Sequence, residues 1–491
     1  MSTMYFFDDR HISSMSGLMR VPGPVAKLGP VFGSVDPKSD FYYDPFAGTI
    51  MPLKEGGYRA YVSTFGYKTK EPTRGVSVLE SKNGVDWSEA KLDFSRKEGL
   101  NPGRIKIDGL PDGFQGYFKQ PQVIRLEHDV FRMYVWCHGF LGRAAIGRNL
   151  VCESKDGYQF KILDFGAPVL YHPCEFGKWG WEAGLIPMDF SSAERPALAP
   201  EKMLPLKGMR SNDSVSVYYD PVQRLFIIYS VFLMHNPAGN PRQEDRDNAR
   251  TLLRVITRRE SADGFRFSDP ELIITPDEND PLDQQFYYLA VHRQDGWNIG
   301  FLGDFEIIDQ TMDAQLCFSR DGLKWERPCR SSWIPRQPGA FDSLNLYAAA
   351  GLIDAGEDWL VVYRGGTRLH RSAEGSSDRE LCIAAARFGK RRFLGLDTGP
   401  NRDSRLLTRG FILTGPEIKI DADIRGDFRA ELCDVFGAAV PGYRREDFVP
   451  VKGDSRQHIL RWKDKETAGY RFDPAALRLE MADTTLYAIQ Y

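Results

Sequence analysis

Short runs of apolar residues recur along the whole chain, and their pattern predicts β-strands. The runs are four to nine residues long and are bounded by Gly, Pro, Asn or Asp. Examples are GYRAYVSTF, FRMYVW, SVSVYYD, LFIIYSVFL, WNIGFLG, WLVVYRG and EIKIDADI. Their richness in Val, Ile, Tyr, Phe and Trp is typical of strands, whereas apolar residues at helical spacing are almost absent. The pattern predicts an all-β protein.

A short motif, Ser-x-(Asp/Asn)-Gly-x-x-aromatic, is repeated four times after a strand. It occurs at residues 81–87, 154–160, 261–267 and 319–325. Asp-Gly or Asn-Gly supplies the positive φ of a tight turn, Ser or Asp caps that turn, and the aromatic residue re-enters the core. The motif therefore predicts a repeated hairpin turn in a repeated supersecondary unit.

The repeat predicts a five-bladed β-propeller. A four-stranded blade needs about 40–45 residues, and the irregular spacing of the motifs implies long loops between strands. A fifth unit, FDSLNLYAAAGLIDAGEDWLVVYRGG followed by ELCIAAARFGKRRFLGL, keeps the strand order without the turn motif. We expect the propeller to span residues 1–395, with an N-terminal arm at 1–30, and a C-terminal β-sandwich to occupy 396–491.

Charge and hydropathy exclude two classes of partner. The chain has 64 basic and 67 acidic residues, so it lacks the basic footprint of a nucleic-acid binder. No apolar run approaches the roughly 20 residues that span a bilayer, and the start MSTMYFFDDRHISS does not resemble a signal peptide. We expect a cytoplasmic protein that binds neither nucleic acid nor membrane, and the sequence leaves a homo-oligomer open.

The cysteines and histidines predict neither disulfides nor a metal site. The seven cysteines are scattered and form no Cys-x-x-Cys, and the eight histidines are dispersed. Buried free thiols that behave as small hydrophobes explain the cysteines best. We expect no metal and no cofactor.

The residues just before the inner strands of a propeller converge at one mouth of its channel. The five predicted inner strands are preceded by these polar residues: Asp44, Gln120, Asp213, the pair Asp280 and Asp283, and Asp342. Crowded carboxylates acquire different pKa values, although Asp before a strand is also a favoured turn residue. We therefore expect an acidic site at this mouth.

A carboxylate pair beside aromatic rings suits glycoside hydrolysis, in which one acid protonates the leaving oxygen and another attacks or activates water. The candidate catalytic residues are Asp44, Asp213, Glu182, Asp283 and Asp342. Candidates for binding the carbohydrate substrate are Tyr43, Gln120, His138, Arg210, Asn212, Gln285, Tyr287, Tyr363, Arg364 and His370. Glu182 lies on a long loop. The alternative interpretation of this residue is a solvated loop acid without a catalytic role.

The propeller repeat, with Asp44-Pro45 before the first inner strand and Asn212-Asp213 before the third, resembles the superfamily of family 32 and family 43 glycoside hydrolases. The chain is more closely similar to uncharacterised bacterial proteins with a family 32 N-terminal-type propeller and a C-terminal β-sandwich. The similar stretches are YFFDDRHI, DQQFYYLAV, MDAQLCFSRDGLKWERP and PGYRREDFVPVKGDSRQHILRW.

The resemblance implies a nucleophile or base at Asp44, a transition-state-stabilising Asp at Asp213 and a separate Glu as proton donor. Three motifs of true family 32 enzymes are missing, namely Trp-Met-Asn-Asp-Pro-Asn-Gly, Arg-Asp-Pro and Glu-Cys. The donor therefore stays open between Glu182, Asp283 and Asp342. Fructofuranosidase or arabinofuranosidase activity is the activity that the resemblance implies.

Three other functions stay open. A non-catalytic carbohydrate-binding propeller is the main alternative. A sialidase-like enzyme would share the turn motif, but it would need an arginine triad, and only Arg210 and Arg364 are attractive channel arginines. A glycoside phosphorylase would need a basic phosphate pocket, which the sequence does not display.

Overall fold

The structure is a computed structural model. It describes residues 2–32, 41–66, 74–97, 100–172, 214–235, 252–370, 381–400, 403–463, 465 and 467–491. Within these residues helices are confined to α1 (Asp93–Lys97) and two 3-10 turns at Glu127–Asp129 and Thr467–Tyr470. The described part of the chain is nearly all β, as the apolar pattern predicts.

The described strands are numbered in chain order. The first half contains β1 (Thr3–Tyr5), β2 (Ile12–Ser16), β3 (Met19–Pro22), β4 (Ala26–Phe32), β5 (Phe41–Pro52), β6 (Tyr58–Gly66), β7 (Gly75–Ser81), β8 (Trp87–Glu89), β9 (Lys106–Asp108), β10 (Phe114–Arg125), β11 (Phe131–Leu141), β12 (Ala144–Ser154), β13 (Gln159–Ile162), β14 (Leu170–Tyr171), β15 (Val215–Asp220) and β16 (Leu225–His235). The second half contains β17 (Leu252–Ser261), β18 (Glu271–Ile274), β19 (Gln284–Gln294), β20 (Trp297–Glu306), β21 (Thr311–Ser319), β22 (Asn345–Ala355), β23 (Asp358–Gly366), β24 (Leu381–Gly389), β25 (Leu394–Asp397), β26 (Ser404–Thr408), β27 (Phe411–Ile412), β28 (Lys419–Ile424), β29 (Phe428–Cys433), β30 (Gly453–Ile459), β31 (Pro474–Met481) and β32 (Thr484–Gln490).

The chain divides into two compact units. The large unit comprises Ala26–Trp325 and Ile334–Arg387. The small unit comprises Met1–Val25, Glu326–Trp333 and Phe388–Tyr491. The N-terminal segment that the sequence analysis treats as a propeller arm is thus divided between the units after Val25.

Five groups of mainly antiparallel strands build the large unit. Group I is β5–β8, group II is β10–β13 with β9 and β14, and group III is β15–β18. Group IV is β19–β21, and group V is β22–β24 with β4 paired to β24. The first strands of the groups, β5, β10, β15, β19 and β22, contact one another in this order, and β22 contacts β5. These five inner strands therefore form a closed ring.

Four of the inner strands are bulged part-way along their length. Register shifts lie between Asp44 and Thr49 in β5 and between Lys119 and Gln122 in β10. Strands β19 and β22 are shifted at positions 286–289 and 348–352. Bulges bend a strand and release backbone groups from the ladder, so side chains of neighbouring groups can bond to them.

Gln122 is one such side chain and joins three groups. Its amide nitrogen donates to the carbonyls of Ala47 (2.7 Å) and Gly48 (3.1 Å) in group I. Its Oε1 accepts the Val217 N–H of group III at 3.1 Å. The fully satisfied buried amide fixes the relative position of the inner strands around the ring.

The repeated turn motif has the predicted geometry. Its glycines, Gly84, Gly157, Gly264 and Gly322, have φ between 75° and 77°. In the second turn, Ser154 Oγ accepts the Gly157 N–H at 2.9 Å, and Asp156 Oδ1 accepts the Tyr158 N–H at 2.7 Å. The prediction of a capped turn with positive φ is confirmed.

These turns also connect neighbouring groups. Arg59 and Tyr61 of group I donate to the carbonyls of Asp156 (3.2 Å) and Gly157 (3.0 Å) in group II. In the same way, Arg132 and Tyr134 of group II donate to the carbonyls of Asp263 (2.8 Å) and Gly264 (2.9 Å) in group III. The repeat thus has a structural function in holding adjacent groups together.

The small unit contains two antiparallel sheets. One has the order β3-β25-β32-β28-β30 with β1 beside β32, and the other has β2-β26-β31-β27 with β29 beside β31. Apolar side chains of both sheets share one core, which includes Met4 and Phe6 from the N-terminus and Trp462 from the C-terminal region. Burial of these side chains stabilises the unit.

Candidate active site

An ion pair between Asp44 and Arg364 lies at the beginning of the inner strands. Arg364 Nη1 donates to Asp44 Oδ2 at 2.6 Å, and both side chains are largely buried. Asp44 is the last paired residue of β5 before its bulge, and its Oδ1 accepts the Phe46 N–H at 2.9 Å. The turn after Asp44 therefore fixes the carboxylate, and group V supplies its positive partner.

The Arg364 guanidinium keeps its positive charge. Burial lowers the pKa of Arg364, but the Asp44 carboxylate and neighbouring tyrosines outweigh burial, so the pKa is raised overall. Arg364 Nε is buried and makes no hydrogen bond to any residue that the structure describes. The guanidinium thus faces Asp44 with one N–H and has a further N–H without an acceptor among the described residues.

Aromatic rings surround the ion pair. The Arg364 guanidinium carbon lies 3.7 Å from the Tyr347 ring centroid and 5.4 Å from that of Phe46. Phe46 packs against Tyr347 and Tyr287 with centroid distances of 4.7 and 6.0 Å. This arrangement keeps water from much of the pair and strengthens the electrostatic interaction.

His370 joins the same cluster from the loop after β23. Its Nδ1 is 2.6 Å from the Tyr347 hydroxyl, and its ring centroid is 4.8 Å from that of Tyr287. The His370 N–H of the backbone donates to the Gln310 carbonyl at 2.8 Å, which fixes the loop. The predicted residues Asp44, Arg364, Tyr287 and His370 are therefore brought together.

Gln285 and Arg254 adjoin the cluster on the side of groups III and IV. Gln285 Oε1 accepts the Arg254 backbone N–H at 3.1 Å. The guanidinium carbon of Arg254 lies 5.1 Å from the Tyr287 centroid, and the side chain is fully buried. Arg254 could not be found from the residues just before the inner strands, because it stands on β17, the third strand of its group.

Gln120 is positioned by the residue opposite Asp44. Its backbone has φ 56° at the bulge of β10, and its N–H donates to Ser63 Oγ at 2.8 Å. Ser63 is the register partner of Asp44 across β5 and β6. Gln120 thus lies near the site, as the convergence of the inner strands predicts.

Asp304 is a half-buried carboxyl that the sequence analysis did not single out. Burial, together with the nearby Asp313 and Glu306, raises its pKa to about 7, although Gln284 and Gln315 donate to it at 2.5 and 2.7 Å. It is the register partner of Phe286, which precedes Tyr287. The signal in the sequence is an acid at alternate positions of the otherwise apolar segment FLGDFE.

Tyr363 contacts Asp342 on the face of β23 opposite to that of Arg364. Lys27 Nζ and the Tyr363 hydroxyl donate to Asp342 Oδ2 at 2.6 and 3.1 Å. Successive residues of a strand point to opposite faces, so Tyr363 binds Asp342 on one face while Arg364 binds Asp44 on the other. Asp342 is fully buried and links β4 to β23; its catalytic role stays a prediction.

Three further predicted residues have other described contacts. The Tyr43 hydroxyl donates to Glu89, and its ring packs in the core between groups I and V. Asp283 accepts the backbone N–H groups of Ile307 and Ile308 after β20. His138 packs among aromatic rings of group II, with centroid distances of 5.9 Å to Tyr117, 5.6 Å to Trp136 and 5.0 Å to His172.

Four predicted site residues lie outside the described residues, namely Glu182, Arg210, Asn212 and Asp213. Their roles stay predictions.

The described residues contain no group of three or more His, Cys, Asp or Glu side chains that could hold a metal ion. Six cysteines lie in the described ranges, and none of them forms a disulfide. No helix in that part of the chain is long and apolar enough to cross a membrane.

Comparisons by sequence and by structure give different results. No family profile and no curated protein matches the sequence. Similar solved structures include a glycoside hydrolase (12% identity, TM-score 0.46, covering 74% of this chain and 92% of that one). A thermostable family 43 glycoside hydrolase gives 15% identity and a TM-score of 0.41, covering 71% and 95% of the two chains. The family 32 β-fructofuranosidase of Bombyx mori gives 9% and 0.39, covering 98% and 93%. These proteins are of the kind that the sequence resemblance names.

Proposed function

We propose that the protein is a glycoside hydrolase whose active site lies where the inner strands of a five-bladed β-propeller begin. The closed ring of β5, β10, β15, β19 and β22 supports the propeller. The small unit is proposed to be a β-sandwich on the basis of its two sheets and shared core, and we assign it no chemistry.

The observation that carries the proposal is the Asp44–Arg364 pair. A carboxylate fixed opposite a permanent cation, with aromatic rings around it, is suited to act as the nucleophile or base in glycoside cleavage. The spare Nε–H of Arg364 is suited to bind a sugar hydroxyl. Gln285, Tyr287 and His370 supply an amide, a ring face and an imidazole beside it, which are groups that recognise sugars.

Candidates for the second catalytic carboxyl group come from the sequence and from the structure. The sequence names Asp213, Glu182, Asp283 and Asp342, of which Asp342 is engaged by Lys27 and Tyr363. Asp304 joins this set, because a carboxyl with a pKa of about 7 is protonated for much of the time at neutral pH. A carboxyl whose surroundings raise its pKa is suited to donate a proton to the leaving oxygen.

A furanoside with a fructofuranosyl or arabinofuranosyl unit is the proposed substrate, and this proposal rests on the sequence resemblance.

A second activity, phosphorolysis, is favoured by one observation. Arg254 and Arg364 lie against Tyr287 and Tyr347 in the same aromatic cluster, and two guanidinium groups suit a phosphate ion.

A panel of aryl glycosides tests these alternatives. The full chain is incubated with aryl fructofuranosides, arabinofuranosides, pyranosides and sialosides, with and without inorganic phosphate, and the released phenol and sugar are measured. Release without phosphate supports hydrolysis, and release from a furanoside alone supports the substrate class. Phosphate-dependent release that yields a sugar phosphate would identify a phosphorylase. Sugar binding without release would instead identify a carbohydrate-binding propeller.

A further inference from the structure

Arg74 is a rigid, exposed guanidinium on the side of the candidate site formed by groups I and II. Its guanidinium carbon lies 4.9 Å from the ring centroid of Phe65 and 4.9 Å from that of Tyr117. Its Nη1 also donates to the Tyr117 hydroxyl at 3.2 Å. Cation–π contacts on two sides and a hydrogen bond restrict the side chain before any ligand binds.

No carboxylate of the described residues forms an ion pair with Arg74. Other guanidinium groups in the large unit have such partners, including Arg59 with Glu80 and Arg132 with Glu153. An arginine that is held in place and has no counter-charge among the described residues is preorganised to form charge-assisted, bidentate hydrogen bonds to an oxyanion.

A second guanidinium increases the positive charge behind Arg74. Arg104 packs so closely against Gly75 that a β-carbon at position 75 would lie 1.7 Å from its Nη1. Burial lowers the pKa of Arg104 to about 10, so the group keeps its charge at neutral pH. Its Nε donates to Asn101 Oδ1 at 3.2 Å, which fixes it beneath the backbone of residue 75.

The Arg74 platform, defined as Arg74, Phe65 and Tyr117, is continuous with the ion-pair site. Phe65 stacks on Tyr42 with a centroid distance of 4.5 Å and an interplanar angle of 5°. Tyr42 precedes Asp44 by two residues in β5, so both side chains belong to the same end of the same strand. A saccharide longer than one unit could therefore contact Asp44 and Arg74 together.

We propose that Arg74 binds an oxyanion carried by the substrate, so that the protein acts on an anionic saccharide. This inference rests on the proposed function, because it assigns the substrate class of the same site. Phe65 and Tyr117 hold the guanidinium plane, and the ligand's carboxylate, sulfate or phosphate accepts its remaining N–H groups. Increasing salt weakens this contact, because the guanidinium is exposed.

Calorimetric titration of the full chain with a matched series of sugars tests the proposal. The probes are glucose, glucuronate and glucose 6-sulfate, which differ at carbon 6. We expect one or both anionic sugars to bind at least about tenfold more tightly than glucose, as expected for a charge-assisted hydrogen bond. Which of them binds more tightly distinguishes a carboxylate from a sulfate as the recognised group.

Two variants complete the experiment. Arg74→Gln is expected to abolish the preference for the anion. The matched control is Arg320→Gln, which removes a guanidinium from the face of Trp297 (3.9 Å) in the turn motif of group IV and should leave the preference unchanged. Equal binding of all three sugars, binding of none, or a preference that survives Arg74→Gln would overturn the proposal.

The outcome is separable from that of the proposed function, because titration measures binding without turnover. Anion preference that depends on Arg74, in a protein that cleaves no glycoside, would refute the hydrolase and retain the anion site. Hydrolysis of neutral glycosides without any anion preference would support the hydrolase and refute the anion site.

Discussion

Arg364 Nη1 donates to Asp44 Oδ2 at 2.6 Å, and this bond joins residues 320 positions apart in the chain. The bond ties the first inner strand to the second strand of group V, where the ring of strands closes. It also gives the buried Asp44 a positive partner. The same contact therefore serves the closure of the ring and the chemistry proposed for Asp44.

Replacing Arg364 should destabilise the protein because Asp44 would remain buried without its counter-charge. We expect Arg364→Met to lower the free energy of unfolding by about 3 kcal/mol, measured by urea denaturation. Arg364→Lys keeps the charge and should lose less. In a double-mutant cycle with Asp44→Asn, a coupling energy below about 0.5 kcal/mol would show that the two side chains do not stabilise each other.

Asp304 should make the stability of the protein depend on pH. Because burial raises its pKa to about 7 in the folded state, while an unfolded Asp titrates near 3.9, the folded protein binds more protons between these values. Stability is therefore greatest below about pH 4 for this group and falls as pH rises towards 7.

Asp304→Asn removes that dependence. Relative to the wild type, the variant should gain stability steadily from pH 4 to pH 7, by no more than about 1.4 kcal/mol per pH unit. Melting curves of both proteins at each pH provide the measurement, and other titrating groups cancel in the difference. If the two curves of stability against pH run parallel, Asp304 has no raised pKa.

Lys27 and Asp342 should contribute unequally to the attachment of β4. Asp342 is fully buried, whereas the Lys27 side chain is 18% exposed. Lys27→Met leaves a buried carboxylate without its partner and should cost about 3 kcal/mol. Asp342→Asn leaves a lysine that can reach water and should cost about half as much.

The Asp342→Asn variant also tests the sequence prediction that Asp342 is catalytic. If Asp342 only holds β4, then Asp342→Asn keeps its turnover wherever it is folded, as judged by circular dichroism. Loss of turnover in the folded variant would return Asp342 to the active site.

Gly264 should tolerate no side chain because it contacts group II. A β-carbon there would lie 2.6 Å from Arg132 Nη1 and 2.7 Å from the Tyr134 hydroxyl, while φ is 77°. The control is Gly113, which has φ 79° and no atom within 4 Å of that position. We expect Gly113→Ala to cost about 1 kcal/mol from backbone strain, and Gly264→Ala to cost roughly 2 kcal/mol more through lost hydrogen bonds. Equal costs would mean that the turn does not hold groups II and III together.

The sequence predicts local features of this fold well and distant partners poorly. The turn glycines and strand segments are visible, because their φ angles and apolar alternation depend on near neighbours. Asp44 is predicted from its place before an inner strand. Its bond to Arg364 could not be predicted, because it depends on how the first and fifth groups meet.

Two other residues show the same limit. The sequence predicts Asp342, like Asp44, just before an inner strand. Asp44 instead lies within β5, and Lys27 binds Asp342 from a strand that the sequence predicts to be part of an N-terminal arm. Asp304 stands within an apolar strand, and its pKa depends on Gln284, Gln315 and Asp313 from two other strands. The position of a residue in the repeat does not determine which side chains of other strands it will contact.

A comparison of Asp44→Asn with Asp263→Asn, on the best glycoside of the panel, tests whether Asp44 is the catalytic carboxylate. Asp263 lies in a turn motif where the equivalent residue of the first motif is Asn83, so its variant should fold and retain its activity within about twofold of the wild type. With the folded fraction verified at the assay temperature, we expect kcat/KM of Asp44→Asn to fall by about 10³-fold. A folded Asp44→Asn protein that retains more than about a tenth of the wild-type kcat/KM would show that Asp44 is not the catalytic nucleophile or base.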